Sequence, residues 1–256
     1  MIFTVTGQTP LTDTVYRLEL AGDTAAITRP GQFVQIKVPG FYLRRPISVC
    51  DWGENSLTLI YKVVGQGTKA MTSLVPGAEL DLLTGLGNGF DPAACGDKPL
   101  LVGGGVGVPP LYGLCKRLIQ AGKSPRVVMG FNTAAEVFLR EDFEALGVPV
   151  YVTTADGSQG IRGFVTAALT ETDYDFTYAC GPEPMLKTLY QATDKPGQYS
   201  FEARMACGFG ACMGCSCKTK YGTKRCLLYT SPGASGAVPA APSGLVHGKP
   251  RLGGAL

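Results

Sequence analysis

Five of the nine cysteines of this chain lie between Cys207 and Cys226. Four of them, Cys207, Cys212, Cys215 and Cys226, read C-x4-C-x2-C-x10-C, close to the plant-type spacing that holds a [2Fe–2S] cluster. Gly208, Gly210 and Gly214 are interleaved with them. Glycine allows a chain to wrap tightly round a cluster and turn backbone N–H groups towards its sulfurs. A four-cysteine zinc site is the alternative, but zinc sites more often use two C-x2-C hooks and only one is present; free thiols are the third reading. Cys217, two positions past Cys215, is expected to be a small buried side chain. The one histidine, His247, is remote from the cluster and cannot readily complete a mixed site.

Two further groups of residues have the makings of dinucleotide sites. Arg45-Pro46-Ile47-Ser48 offers a guanidinium and a small hydroxyl, suited to a phosphate or ribityl contact. Alone this tetrapeptide is weak, since Arg-Pro is common at a strand edge. It gains weight from Ile60-Tyr61-Lys62, a strand leading into Gly65-Gln66-Gly67-Thr68, a turn whose N–H groups could hold a pyrophosphate. Further on, a strand runs through Gly103-Gly104-Gly105-Val106-Gly107-Val108-Pro109-Pro110 into a helix. That context suits a dinucleotide at a helix amino terminus, although the loop is not G-x-G-x-x-G and a plain turn is its simplest alternative. Cys180-Gly181-Pro182 again follows a strand, at the end of an α/β sheet where ligands collect.

The elements that must position these residues follow from periodicity. Residues 14–20, 32–38, 57–64 and 79–82 alternate or are strand-rich, with Gly or Pro between them, and predict a small antiparallel β-barrel or sandwich over 1–92. From Pro99 the rhythm becomes strand, loop, helix, which predicts a doubly wound, mostly parallel α/β domain over 98–198. The cysteine unit occupies 199–228, and 229–256 is a Gly/Pro/Ala/Ser segment without acidic residues, expected to be poorly ordered. Of 256 residues, 45% are hydrophobic and 17% charged, enough for packed cores. A net charge of +3 is too small to imply nucleic acid. The most apolar stretch, 99–111, is too short and too broken to span a membrane, and no amino-terminal signal is evident, so a cytoplasmic protein is expected.

In combination the R-P-x-S, G-x-G-T, GGGxGxxP and CGPxxM motifs resemble the ferredoxin–NADP reductase superfamily. With the cysteine unit added, residues 1–226 are similar to the electron-transfer subunit of class B, NAD-linked dihydroorotate dehydrogenase. The resemblance implies FAD at Arg45 to Ser48, Ile60 to Lys62, and Gly67 with Thr68. It implies NAD near the two glycine loops, with Cys180 close to the nicotinamide. It further implies a separate FMN subunit that oxidises dihydroorotate, in a heterotetramer of two of each, with electrons running through the cluster and FAD to NAD. No general base is nominated, because the protein's part is placement and potential. The small subunit of a related ferredoxin–NADP reductase or sulfide dehydrogenase is the rival. The sequence departs from the family near Cys226, where the spacing is shorter and the usual Asp-Gly-Pro continuation is replaced by Leu227-Leu228-Tyr229.

Overall fold

The computed structural model describes residues 1–201 together with Met205, Cys207, Gly208, Cys212, 216–219 and 222–225. Cys215, Cys226, His247 and the segment 229–256 lie outside the described residues, as does the side chain of Cys217.

Six antiparallel strands close a barrel: β1 (Ile2–Pro10), β2 (Val15–Ala21), β3 (Phe33–Ile36), β4 (Arg45–Trp52), β5 (Ser56–Lys62) and β6 (Glu79–Leu86). Their order is β1-β2-β5-β4-β3-β6, and β6 pairs back onto β1. Inward side chains such as Phe3, Leu18, Val34, Ile36, Leu59 and Leu82 fill the interior. Sequence periodicity singled out four of these strands. In β1 a register shift between Val5 and Gly7 interrupts the alternation, and β4 opens with Arg45-Pro46, a pair that reads as an edge. A short helix, α1 (Gln66–Met71), follows β5.

The second domain is a parallel sheet: β7 (Pro99–Gly104), β8 (Arg126–Phe131), β9 (Val150–Thr154), β10 (Ile161–Arg162), β11 (Phe176–Gly181) and β12 (Gly197–Phe201). The order β10-β9-β8-β7-β11-β12 reverses direction between β7 and β11, so the crevice at their carboxyl ends is the topological switch point. One face is covered by α2 (Pro109–Gln120) and α3 (Arg140–Glu144), through Leu111, Leu114, Leu118 and Phe143. On the other face lie a 3-10 segment over Val165–Glu171 and α4 (Glu183–Ala192), through Val165, Ala168, Leu186 and Leu189. The sheet's last strand runs to Phe201, so the sheet and the expected cysteine unit meet within it. Two short antiparallel strands, β13 (Ser216–Thr219) and β14 (Gly222–Arg225), belong to that unit.

Barrel and sheet share a core. Val15, Cys50 and Ile60 of the barrel pack in one cluster with Leu114, Leu118 and Phe143 of the sheet domain. Helix α2 lies directly on β4, where a Cβ at Gly113 would stand 2.8 Å from the Cys50 carbonyl oxygen. Around that contact, Lys116 pairs with Asp51 at 2.5 Å, Arg17 with Asp142 at 2.6 Å, and the Arg117 guanidinium stacks on Trp52 at 3.8 Å. The helix that follows the Gly103–Pro110 loop is thus seated on the strand that carries Arg45 to Ser48. Among the described residues no helix is long and apolar enough to cross a membrane.

Candidate functional site

The tandem arginines at the start of β4 are used differently. Arg44 is spent on the barrel: it donates to the Asp81 carboxylate at 2.5 Å and to the Asp81 carbonyl at 2.9 Å. Its hydrogen bond holds the Asp81 carboxyl below the usual carboxylate range. Arg45 turns the other way and lies against the backbone of Gly67, where an added Cβ would stand 2.1 Å from Arg45 Nε. It donates to the Leu43 carbonyl at 2.6 Å and packs over the Phe41 ring. Among the described residues no carboxylate pairs with it, so its charge is left for an anion. Ser48, three residues along β4, is half-buried on the same strand.

The Gly-x-Gly-Thr turn is partly satisfied from within. The N–H groups of Val64 and Gly65 both donate to Thr68 Oγ1, at 3.0 and 3.2 Å. Lys69 N–H donates to the Gly65 carbonyl, and among the described residues none of the N–H groups of Gln66, Gly67 and Thr68, the first-turn positions of α1, donates to a backbone carbonyl outside the helix. Gly67 lies beside Arg45. A phosphate placed there meets a guanidinium and backbone donors together, so the residues fit the pyrophosphate of a flavin dinucleotide. Ile60 and Tyr61 serve mainly the core: Tyr61 is buried, stacks on Tyr16 and donates to Gln8 Oε1 at 3.3 Å. Lys62 is the member of that trio that faces open space.

That space is a cavity of about 510 Å³ at the carboxyl ends of β7, β8 and β11, within the range usual for small-molecule sites. Lys62 of the barrel, Gly104, Gly105 and Pro182 line one end of it. Asn132, Glu136, Thr153 and Phe164 line the other. Of the residues expected around a dinucleotide, Gly104, Gly105 and Pro182 reach the cavity. Gly103, Gly107 and Cys180 pack behind it: a Cβ at Gly103 would stand 2.7 Å from Val108 Cγ2, and one at Gly107 2.2 Å from the Cys180 carbonyl oxygen. Gly181 has φ +153° and lies against the Gly104 backbone and the Met185 side chain, a fit open only to glycine.

Sequence reasoning passed over Glu136, Asn132 and Phe164. Glu136 Oε2 accepts from the Asn132 backbone N–H at 3.2 Å and from Asn132 Nδ2 at 2.9 Å, so its carboxylate is fixed at the cavity wall. A lone acid in a surface turn carries no distinguishing signal. Phe164 is 71% exposed, a flat apolar lip that alternation gives no reason to single out.

The cysteines divide by environment. Cys50, Cys95, Cys115 and Cys180 are buried. Burial pushes the Cys115 thiol up to about 12 and raises those of Cys50 and Cys95, which keeps all three as neutral packing groups. Cys207 is half-buried and Cys212 exposed. The Cys212 backbone N–H donates to Cys207 Sγ at 3.4 Å, and Gly208 takes φ +73° between them. A sulfur that receives backbone N–H groups in a glycine-bent loop is the arrangement a thiolate-held cluster needs.

Comparison with known proteins agrees with this geometry. Residues 101–191 match the family described as the oxidoreductase NAD-binding domain. A solved NADH-dependent reduced ferredoxin–NADP oxidoreductase superposes with a TM-score of 0.81 at 25% identity, covering 96% of this chain and 88% of its own. A ferredoxin NADP+ reductase from Neisseria gonorrhoeae, solved with FAD and NADP bound, shares the fold at a TM-score of 0.64 and 15% identity, over 75% and 89% of the two chains. The class is therefore that of reductases built as a barrel joined to a nucleotide-binding α/β domain. Within it, the dihydroorotate dehydrogenase B (NAD(+)) electron transfer subunit of Fusobacterium nucleatum is 43% identical over 80% of this chain and 84% of its own. That of Geobacillus sp. strain WCH70 is 44% identical over 84% and 88%. The chain belongs to this family of electron transfer subunits.

Proposed function

We propose that this chain carries electrons between a dihydroorotate-oxidising partner subunit and NAD, with FAD on the barrel and a [2Fe–2S] cluster on the cysteine unit. The observation that carries the reading is the cavity that begins at Lys62, on the barrel strand next to the flavin motif, and continues across the sheet's switch point. A dinucleotide laid in it has one end at the barrel and the other at Glu136.

Arg45 and the first-turn N–H groups of Gln66 to Thr68 would hold the FAD pyrophosphate, and Ser48 and Lys62 would flank the rest of the flavin. Gly104, Gly105 and Pro182 would line the nicotinamide half, with open space above Gly105 and the Met185 sulfur close over Gly104. Cys207, Cys212, Cys215 and Cys226 would hold the cluster. When bound, FAD exchanges two electrons with nicotinamide as a hydride and single electrons with an iron–sulfur centre, which is why both belong on one chain. The partner is an FMN-containing subunit, the assembly two of each, and the compartment the cytoplasm. A ferredoxin–NADP reductase or sulfide dehydrogenase small subunit is the rival; identities of 43% and 44% to dihydroorotate dehydrogenase subunits, against 25% to the solved NADH-dependent oxidoreductase, favour the first reading.

Purified alone, the chain is expected to reduce a dye with NADH but not to oxidise dihydroorotate. Adding the FMN subunit should yield dihydroorotate-dependent NAD reduction. Cys207→Ser, Cys212→Ser or Cys215→Ser should abolish that coupling and the bound iron while sparing dye reduction, and Cys217→Ser should leave the iron in place. Dihydroorotate oxidation by the chain alone, or coupling without iron, would overturn the reading.

A further inference from the structure

Gln35 is the one glutamine in β3, a strand whose four residues are all buried. Its side chain is 1% exposed, and its Nε2 has no hydrogen-bond partner among the described residues. A buried amide without an acceptor is costly, and native folds rarely leave one. The amide is aimed at the loop of Cys207: a Cβ placed on Gly208 would lie 1.7 Å from Gln35 Nε2 and 2.7 Å from Gln35 Cδ. Glycine at 208 is therefore what lets the amide reach the loop. On its other side, Gln35 is the register partner of Pro46, within the Arg45 to Ser48 motif. One side chain thus stands between the proposed flavin strand and the first proposed cluster ligand.

We propose that Gln35 Nε2 donates a hydrogen bond to sulfur in the Cys207 loop, the Cys207 thiolate or a cluster sulfide, and thereby sets the cluster's reduction potential from the barrel. The inference rests on the iron–sulfur reading above. Thiolate and sulfide are anionic acceptors and so take the stronger class of hydrogen bond. Such a bond stabilises the reduced, more negative state more than the oxidised one, so it raises the potential. The Cys212 N–H already directed at Cys207 Sγ is the same device supplied by the loop itself. Gln35 adds a donor from a different domain, which also fixes the loop to the flavin strand.

The test is an EPR-monitored redox titration of the full chain carrying FAD and cluster, with iron and FAD content measured beside it. Gln35→Leu keeps the side chain's bulk and removes the donor. It is expected to retain iron and FAD and to lower the cluster's midpoint potential by about a tenfold change in its reduction equilibrium, ~59 mV for a one-electron couple. Gln35→Met, unbranched like glutamine and without a donor, should lower it in the same direction, and it decides the matter if Gln35→Leu loses FAD or fails to fold. An unchanged midpoint in the folded variants would show that the amide serves packing or a buried water. Wild-type chain without iron or a cluster EPR signal would instead remove the iron–sulfur reading, and this inference with it.

Discussion

The molecule has two glycine loops that each join a strand to a helix, Gly65–Thr68 on the barrel and Gly103–Pro110 on the sheet, and their glycines do different work. At Gly67 the missing Cβ leaves room for a side chain, since Arg45 fills the space. At Gly107 it leaves room for backbone, since the Cys180 carbonyl and Gly181 Cα fill it. On the proposed reading the first loop serves an anion, with a guanidinium that no carboxylate pairs among the described residues. The second is built for close packing and presents Gly104, Gly105 and Val106 to the cavity. A guanidinium can swing aside, whereas two strand ends cannot, so similar sequences predict different consequences for the same substitution.

The largest effect is expected at Gly107→Ala. The new methyl meets three backbone atoms of Cys180 and Gly181 within 2.7 Å, none of which can move without opening the β7–β11 crevice. Overpacking of this kind costs about 3 kcal/mol. A fall in melting temperature on the order of 10 °C follows for a chain of this size. Thermal unfolding of the flavin-loaded chain measures it, and a shift below about 2 °C would mean the two loops do not differ as described.

Gly67→Ala should invert that pattern. The side chain it displaces is flexible, so the apo chain should unfold within about 0.5 kcal/mol of wild type. FAD should bind more weakly by about 1.5–3 kcal/mol, the value of a hydrogen bond to a charged group. Arg45→Ala should weaken FAD to a similar degree, and combining the two should add little, because both remove one interaction. Additive losses in a flavin titration would separate Gly67 from Arg45 and break the pairing.

Much of this was legible in the sequence, and the parts that were not share a cause. Arg45, the glycine loops and the doubly wound sheet are local patterns: a cation by a turn, or an apolar run before a helix. The dependence of Arg45 on Gly67 is not local, since the two meet only across the β4–α1 contact. Gln35 was hidden for a related reason. In Gln32-Phe33-Val34-Gln35-Ile36 it falls on the polar side of an alternating strand, which reads as solvent-facing. In the fold that side is covered too, so both faces of β3 are buried. Glu136 and Phe164 belong to the cavity only because β8, β9 and the segment after β10 converge at one sheet end.

The smallest effect sharpens the contrast in charge between the two sites. Where the barrel offers Arg45 to a phosphate, the far end of the sheet cavity offers Glu136, held by Asn132. A nicotinamide dinucleotide that reaches from Lys62 to this wall brings its adenosine ribose near the carboxylate. A ribose diol can donate to it, whereas a 2′-phosphate adds like charge beside it, so the chain should use NADH in preference to NADPH. Glu136→Gln keeps an acceptor for Asn132 and removes the charge. It should leave turnover with NADH nearly intact and lower the KM for NADPH, narrowing the kcat/KM preference about tenfold, ~1.4 kcal/mol. Stability should not change, because the site is at the surface and its hydrogen bonds survive. Dye-reduction kinetics with both nucleotides measure the ratio. A preference that Glu136→Gln leaves untouched would place the ribose elsewhere in the cavity and leave the Arg45 site as the only one of the two that reads charge.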